Sequence, residues 1–228
     1  MPQFWHRRHF HRAKIPGRGR RTLRPGPNAV WSPRCRDRPN STETGWAVLV
    51  VAVIGSPKAG GRTRVAVDAV LHGAEEEGAR TRVVELADTA VPDAIAALDE
   101  ADAAVFASPT YRADITAQLK ALLDATPRGM AAYESGDPLR ATACATVLTG
   151  ASDHHFLAVD RVRAILSGFF AVPLLSPGLY LPSAAYAEGG AALRDEQRQL
   201  AELHGRALVE LATAVGSSRW LRTLRPLV

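Results

Sequence analysis

The chain has 228 residues, 46% of them hydrophobic, which is enough for one α/β domain with a full core. No stretch approaches about 18 unbroken apolar residues, so the sequence predicts no transmembrane helix. The formal net charge is +5, and two cysteines are too few for a disulfide framework, which favours a reducing, cytoplasmic location.

The positive charge lies in the first 45 residues. That segment has ten Arg and one Lys against Asp37 and Glu43, a formal charge of +9, whereas residues 46–228 carry −4. The segment also has six Pro, four Gly and no apolar periodicity, so we expect a disordered basic leader, 1–45, before one domain, 46–228. Its arginine pairs lack the apolar segment that an export signal requires. The mildly acidic domain gives no reason to expect nucleic-acid binding.

From residue 47 the pattern becomes one of alternating strands and helices. Residues 47–54 are continuously apolar and β-branched, which is typical of a central parallel strand covered on both faces. Further strands are predicted at 80–86, 103–107, 141–148 and 172–181, and two prolines in the last of these suit an edge position. Helices are predicted at 63–77, 92–101, 116–124, 156–170 and 193–215. The last helix has an apolar stripe that includes Leu200, Leu203, Leu208, Leu211 and Val215.

Five strands that alternate with helices predict an α/β fold, a doubly wound parallel sheet with helices on both faces. We expect the strand order 2-1-3-4-5. Ligands in such sheets bind beyond the C-terminal ends of the strands, at the point where the order reverses, which here lies between strands one and three. The loops that follow strands one, three and four are therefore the candidate sites of chemistry.

The first of these loops, residues 55–63 (GSPKAGGRT), joins the first strand to a helix. Free backbone N–H groups and the helix dipole at such a position favour an anion. The hydroxyls of Ser56 and Thr63, with the charges of Lys58 and Arg62, suit a terminal phosphate monoester. The spacing matches neither a Walker A loop nor a Rossmann fingerprint. An ordinary glycine-rich turn is the alternative.

The second loop, residues 108–114 (SPTYRAD), follows strand three. Pro109 is expected to end the strand. Thr110 and Tyr111 then stand where a flat ring can rest against backbone and aromatic surface. Tyr111 also fits an ordinary packing residue.

The third loop, residues 149–155 (TGASDHH), follows strand four, and its small residues permit close approach of a planar ligand. His154 and His155 are adjacent and have no accompanying carboxylate or cysteine cluster, so no metal site is predicted. We expect these histidines to cap the next helix or to contact a ring.

These three blocks, in this order, resemble the NAD(P)H-dependent FMN reductase family, which is flavodoxin-like. The resemblance runs from about residue 48 to 190 and is greatest for the branch that supplies reduced flavin to sulfonate-type two-component monooxygenases. Its most specific parts are ASPTYRADITAQLKALLD at 107–124 and VLTGASDHHFLAVDRVRAILSGFFA at 147–171. It implies FMN and NADPH or NADH as cofactors, a partner monooxygenase, and a homodimer or homotetramer.

By position, the resemblance implies two groups of cofactor-binding residues. The phosphate group is Ser56, Lys58, Gly61, Arg62 and Thr63. The ring group is Pro109, Thr110, Tyr111, Arg112, Thr149, Gly150, Ala151 and Ser152. Gly61 stands where the family usually has a phosphate-binding Ser, and Lys58 stands where Arg is commoner, so we expect loosely held FMN.

The implied activity is hydride transfer from nicotinamide to flavin. The flavin carries that chemistry, so no catalytic protein residue is expected. A quinone, azo-dye or metal-oxyanion reductase on the same fold is an alternative. A flavodoxin-type electron carrier is another, although carriers are usually more acidic than this domain. A binding protein that has lost its flavin is the third.

The resemblance also implies pairing through the helix that follows the second loop. In the predicted helix 116–124 and the residue before it, Ile115, Leu119, Leu122 and Leu123 lie around more than one face. One sheet layer covers only one side of a helix, so we expect a second copy to cover the rest. Neighbouring helices of the same chain are the alternative.

Overall fold

The structure is a computed structural model that describes residues 47–226. The expected leader, residues 1–45, lies outside the described residues. The strands are β1 Leu49–Ile54, β2 Arg80–Glu85, β3 Ala103–Pro109, β4 Ala143–Gly150 and β5 Leu179–Pro182. The α-helices are α1 Gly61–Glu76, α2 Val91–Glu100, α3 Ala117–Ala125, α4 Ala158–Arg163 and α5 Asp195–Ser217.

The five strands form one parallel sheet in the order β2-β1-β3-β4-β5, which confirms the predicted topology. β5 lies at the edge, as its prolines indicate. It is shorter than predicted, because the segment before it touches β4 only through an isolated bridge between Leu174 and Cys144. Pro173 and Pro177 flank that bridge and have no N–H to donate to a continuous ladder.

The core lies in two layers, one on each face of the sheet. Along β1, Val50, Ala52 and Ile54 point to the layer shared with α1 and α5. Val51 and Val53 point to the layer shared with α2, α3 and α4. All five side chains are fully buried. Cover on both faces is the reason that this strand has a continuous apolar run instead of an alternating one.

α5 packs against α1 through glycines. A Cβ atom on Gly205 would lie 1.9 Å from the carbonyl oxygen of Val70, and one on Gly73 would lie 2.0 Å from that of Glu202. The face of α5 that packs on α1 is therefore its small-residue face, and the predicted stripe is wrong in part. Leu200 and Leu203 are 43% and 55% exposed.

The leucines of α3 are buried within the chain. Leu119 and Leu122 are fully buried and Leu123 is 3% exposed. They belong to the core layer that also includes residues of α2 and α4, such as Leu98 and Val162. The expectation that a second copy covers these leucines is wrong, because helices of the same chain already do so.

The segment between β4 and β5 is less regular than the single helix predicted at 156–170. A 3₁₀ turn, Asp153–His155, comes first, then α4, then a π-helical turn, Ala164–Phe169. Phe156, before α4, is 57% exposed. None of the helices in residues 47–226 is long and apolar enough to cross a membrane.

Candidate functional site

The C-terminal ends of the strands meet at one edge of the sheet, and their loops lie side by side. Pro109 at the end of β3 is in register with Thr149 in β4. Gly150 at the end of β4 is in register with Pro182 at the end of β5. The predicted second and third loops are therefore neighbours, and the segment after β5 joins them.

The first loop leads into α1 through two left-handed glycines. Gly60 has φ 75° and Gly61 has φ 76°, and a Cβ atom on either would meet nothing within 4 Å. Gly60, in the N-cap position, has no side chain that could cap the first turn of the helix. Open backbone at an uncapped helix start is the arrangement that accepts an anion. A residue with a side chain at position 61 would be strained at this φ.

Arg62 is held by the segment that follows β5. Its Nη1 atom donates to the hydroxyl of Ser183 at 2.5 Å, and its guanidinium carbon lies 5.7 Å from the ring centre of Tyr186. The Tyr186 hydroxyl donates to the Arg62 carbonyl at 3.0 Å. Gly190 leaves room for the arginine stem, since a Cβ atom there would lie 3.0 Å from Arg62 Nε. Burial raises the pKa of Tyr186, so the phenol stays protonated and able to donate.

Thr63 faces the sheet. It is 4% exposed, and its hydroxyl oxygen lies 2.9 Å from that of Thr149 at the end of β4. Of the five predicted phosphate residues, Lys58 and Gly61 are exposed and Ser56 is partly buried. The structure thus brings all five residues to one edge of the sheet. The side chains of Arg62 and Thr63 already form hydrogen bonds with other residues of the protein.

The second loop is a tight two-residue turn. The backbones of Tyr111 and Asp114 exchange two hydrogen bonds, of 3.0 and 3.1 Å. Between them Arg112 has φ 53° and Ala113 has φ 62°, a left-handed conformation that is costly for residues other than glycine. Tyr111 is 55% exposed, which does not fit an ordinary packing residue.

Pro109 is the last residue of β3, as predicted, although the strand extends two residues beyond the predicted 103–107. One further backbone hydrogen bond to β4 follows the end of the strand. The Thr110 N–H donates to the Thr149 carbonyl at 2.7 Å. The Thr110 hydroxyl is shielded from solvent and has no hydrogen-bond partner in the described part of the chain.

Side chains in and directly after β5 hold the third loop in position. A Cβ atom on Gly150 would lie 1.9 Å from the Tyr180 hydroxyl, so only glycine fits there. That hydroxyl donates to the Ser152 carbonyl at 2.7 Å, and Ser183 donates to the Gly150 carbonyl at 3.3 Å. Burial, and then the charge of Asp153, raise the pKa of Tyr180. The loop is therefore kept close to the sheet edge.

Two further features define what this edge can do chemically. His154 and His155 are exposed in the 3₁₀ turn, and no group of three metal-binding side chains occurs within residues 47–226. Cys144 is fully buried, and burial raises the pKa of its thiol, so it is not an available nucleophile. The edge offers backbone donors, positive charge, hydroxyls and aromatic surface, a set suited to binding a phosphorylated planar molecule.

Ser183, Tyr186, Tyr180 and Glu85 belong to this edge and were not predicted. Three of them lie in or after β5, whose C-terminal end reaches the same edge. Because ligands in such sheets bind beyond the C-terminal ends of the strands, the ends of β2 and β5 could also have been included among the candidate segments. Glu85 ends β2, and its carboxylate accepts from the Gly60 N–H at 2.9 Å.

Solved structures with this fold include several oxidoreductases and reductases. An NADH:FMN oxidoreductase (EMOB) in its apo form has a TM-score of 0.62 at 22% identity, with 78% of this chain and 95% of that chain covered. A flavone reductase has a TM-score of 0.61 at 16% identity, covering 75% and 65%. An oxidoreductase from Corynebacterium diphtheriae has a TM-score of 0.58 at 19% identity, covering 74% and 99%. At these identities the likeness shows the fold alone, which is flavodoxin-like.

The family is shown by comparison of the sequence with family models. No curated protein matches the chain. The model of the family described as NADPH-dependent FMN reductase matches residues 48–186, which is more than half of the chain and contains all three loops. The chain is therefore an oxidoreductase that uses FMN and a nicotinamide nucleotide, and it belongs to the NADPH-dependent FMN reductase family.

Proposed function

We propose that this FMN reductase takes FMN as an exchangeable substrate and supplies reduced FMN to a partner monooxygenase. The observation that carries the proposal is the meeting of three loops at one sheet edge, where Thr149 contacts both Thr63 and Thr110. When bound, FMN would supply the hydride-transfer chemistry, with the nicotinamide as hydride donor. The protein's task is to bind and orient the two rings.

The first loop fits a phosphate monoester through its backbone. Gly60 and Gly61 leave open space at the uncapped start of α1, and the first N–H groups of a helix have no partner within the helix. We assign the phosphate to the N–H groups of Gly61 and Arg62, with the side chains of Ser56 and Lys58 beside them. The Arg62 guanidinium and the Thr63 hydroxyl then hold the loop in position.

The second and third loops fit the flavin ring. The buried, unpartnered hydroxyl of Thr110 costs about 1–3 kcal/mol in the free protein, a cost that is typical of a functional site. Tyr111 offers an exposed aromatic face. We assign ring contacts to these two residues and to Pro109, Arg112, Thr149, Gly150, Ala151 and Ser152.

The composition of the phosphate loop favours weak binding of FMN, and therefore its exchange with the solution. Glycine at position 61 removes the hydroxyl that the family usually places there, and Lys58 cannot make the two-pronged contact of an arginine. Weak retention suits a reductase that releases its reduced product. The resemblance to the branch that serves sulfonate-type monooxygenases supports a partner of that class. The two cysteines of the chain support a cytoplasmic location.

We further propose a homodimer or homotetramer, centred on the exposed ring of Phe169 and not on Leu119 and Leu122, which are fully buried within the chain. Phe169 is 47% exposed and lines a cleft of about 360 Å³ together with Leu123, Ile165 and Phe170. A second copy of the chain would cover this cleft. Light scattering should then report a dimer or tetramer for the wild type and a monomer for Phe169→Asp. A wild-type monomer at micromolar concentration would remove this part of the proposal.

The test of function is steady-state oxidation of NADPH and NADH with different electron acceptors. We expect faster turnover with free FMN than with a quinone or an azo dye, and loss of FMN from the protein during gel filtration. Preference for a quinone, with FMN retained, would assign the chain to the acceptor reductases. Permanently bound FMN without nicotinamide oxidation would make it an electron carrier.

A further inference from the structure

Glu85 places a carboxylate at the entrance of the phosphate loop. It is the last residue of β2, next to β1 in the sheet, and its side chain is 13% exposed. One carboxylate oxygen, Oε2, accepts from the Gly60 N–H at 2.9 Å. Gly60 is the residue directly before α1. The Glu85 carboxylate therefore already accepts a hydrogen bond from one of the backbone N–H groups of this loop.

The negative charge at this point is only partly balanced. Arg64 donates to Glu85 Oε1 at 2.9 Å, and the same guanidinium donates to Asp68 at 2.7 Å. One arginine is thus shared by two carboxylates, and the group of three keeps a net charge of −1. The exposed Lys58 on the same loop carries the opposite charge, and both act on an anion bound there.

Two consequences follow for a phosphate at the start of α1. The hydrogen bond from Gly60 fixes the loop conformation before any ligand arrives, which favours binding. The charge of Glu85 repels a phosphate dianion, which opposes binding, and this repulsion is weakly screened because the carboxylate is mostly buried. Only flavins that carry a phosphate experience the second effect.

We infer that Glu85 is a specificity-determining and positioning residue of the flavin site. It preforms the phosphate loop and lowers the affinity for FMN relative to riboflavin, the same ring system without phosphate. This inference rests on the proposed function, since it takes the first loop as the phosphate site. Its role is to keep FMN exchangeable, so that reduced flavin leaves the protein.

The experiment measures Kd for FMN and for riboflavin by fluorescence quenching, in wild type and in Glu85→Gln. The amide oxygen of glutamine can still accept from the Gly60 N–H, whereas the charge is lost. We expect FMN affinity to rise on the order of tenfold, the scale of one partly screened charge pair, and riboflavin affinity to stay the same. Glu77→Gln, at the other end of α1, removes the same charge and should alter neither value.

A second variant works in the opposite direction. Arg64→Gln leaves the carboxylates of Glu85 and Asp68 without their shared cation, so FMN affinity should fall while riboflavin affinity stays unchanged. This variant keeps the inference testable if Glu85→Gln does not fold, which a thermal melt without flavin will show. Unchanged or weaker FMN binding in Glu85→Gln would overturn the inference, and so would equal shifts for both flavins.

These outcomes separate the inference from the proposed function. If no variant binds either flavin, both the flavin site and the role of Glu85 are wrong. If FMN binding responds as expected but no nicotinamide is oxidised, the inference stands and the proposed reductase activity fails.

Discussion

The hydroxyl of Thr63 at the start of α1 lies 2.9 Å from the hydroxyl of Thr149 near the end of β4, and both side chains are buried. The pair joins the first loop to the third across the sheet edge. In sequence the two residues are 86 positions apart. Because Thr149 also accepts from the Thr110 backbone through its carbonyl, it contacts both of the other loops.

Replacement of Thr63 by valine should weaken both the fold and the site. The Thr149 hydroxyl would then be buried without its partner, which costs about 1–3 kcal/mol. The start of α1 would also be less firmly held, so FMN affinity should fall. Thr63→Ser keeps the hydroxyl and is the control. Thermal melts and flavin quenching measure the two effects, and a valine variant equal to wild type in both would show that the hydroxyl pair contributes nothing.

Replacement of Gly205 by alanine should strongly destabilise the protein. The added Cβ atom would lie 1.9 Å from the Val70 carbonyl oxygen, so α5 must move away from α1. We expect a loss of about 3 kcal/mol or more, above the usual range for core overpacking, because the obstacle is backbone. Gly168→Ala is the control, since a Cβ atom there meets nothing within 4 Å. Similar urea midpoints for the two variants would contradict the close helix contact.

Stability should depend on pH through Asp137. Burial raises the pKa of its carboxyl from 3.8 to about 6, against the opposing charges of Arg140 and Arg225. The folded state holds this proton more tightly than the unfolded state. The stabilisation is therefore fully present below pH 3.8 and is lost as the pH rises through about 6.

Asp137→Asn should remove this dependence, because the amide resembles the protonated acid. Above pH 6 the variant should be more stable than wild type by on the order of 1 kcal/mol, allowing for partial exposure, and below pH 4 the two should agree. Urea unfolding across this range measures the difference. The exposed Asp88→Asn is the control, and a constant offset at every pH would point to a cause other than the proton.

The domain boundary near residue 46 stays a prediction. Removal of residues 1–44 should leave the melting temperature and FMN affinity unchanged, because the segment has no apolar period with which to pack on a core. Removal of residues 1–52 enters β1 and should abolish folding. A lower melting temperature for the shorter deletion would mean that the leader contributes to the domain.

The sheet could be predicted from the sequence because its signals are local. Buried parallel strands such as β1 appear as short apolar runs, and their alternation with helices determines the topology. Helix faces were harder to predict. Leu200 and Leu203 look like core residues in the sequence, yet α5 packs through Gly205, and nothing local indicates which face approaches α1.

The structure places the three loops singled out in the sequence at one sheet edge, but the contacts between them could not be predicted. Glycines and hydroxyls between a strand and a helix are visible in sequence. The contact of Arg62 with Ser183 joins residues 121 positions apart, and that of Gly60 with Glu85 depends on the neighbouring strand. Such contacts follow from the register of the folded sheet, which a single sequence does not state.

As a member of the NADPH-dependent FMN reductase family, this chain should reduce FMN with a nicotinamide nucleotide. The most direct measurement is the absorbance of FMN mixed with the purified protein and NADPH or NADH in the absence of oxygen. We predict that the flavin is bleached by at least one of the two nucleotides, with many FMN molecules reduced per protein chain. Binding of FMN without bleaching by either nucleotide would contradict the claim.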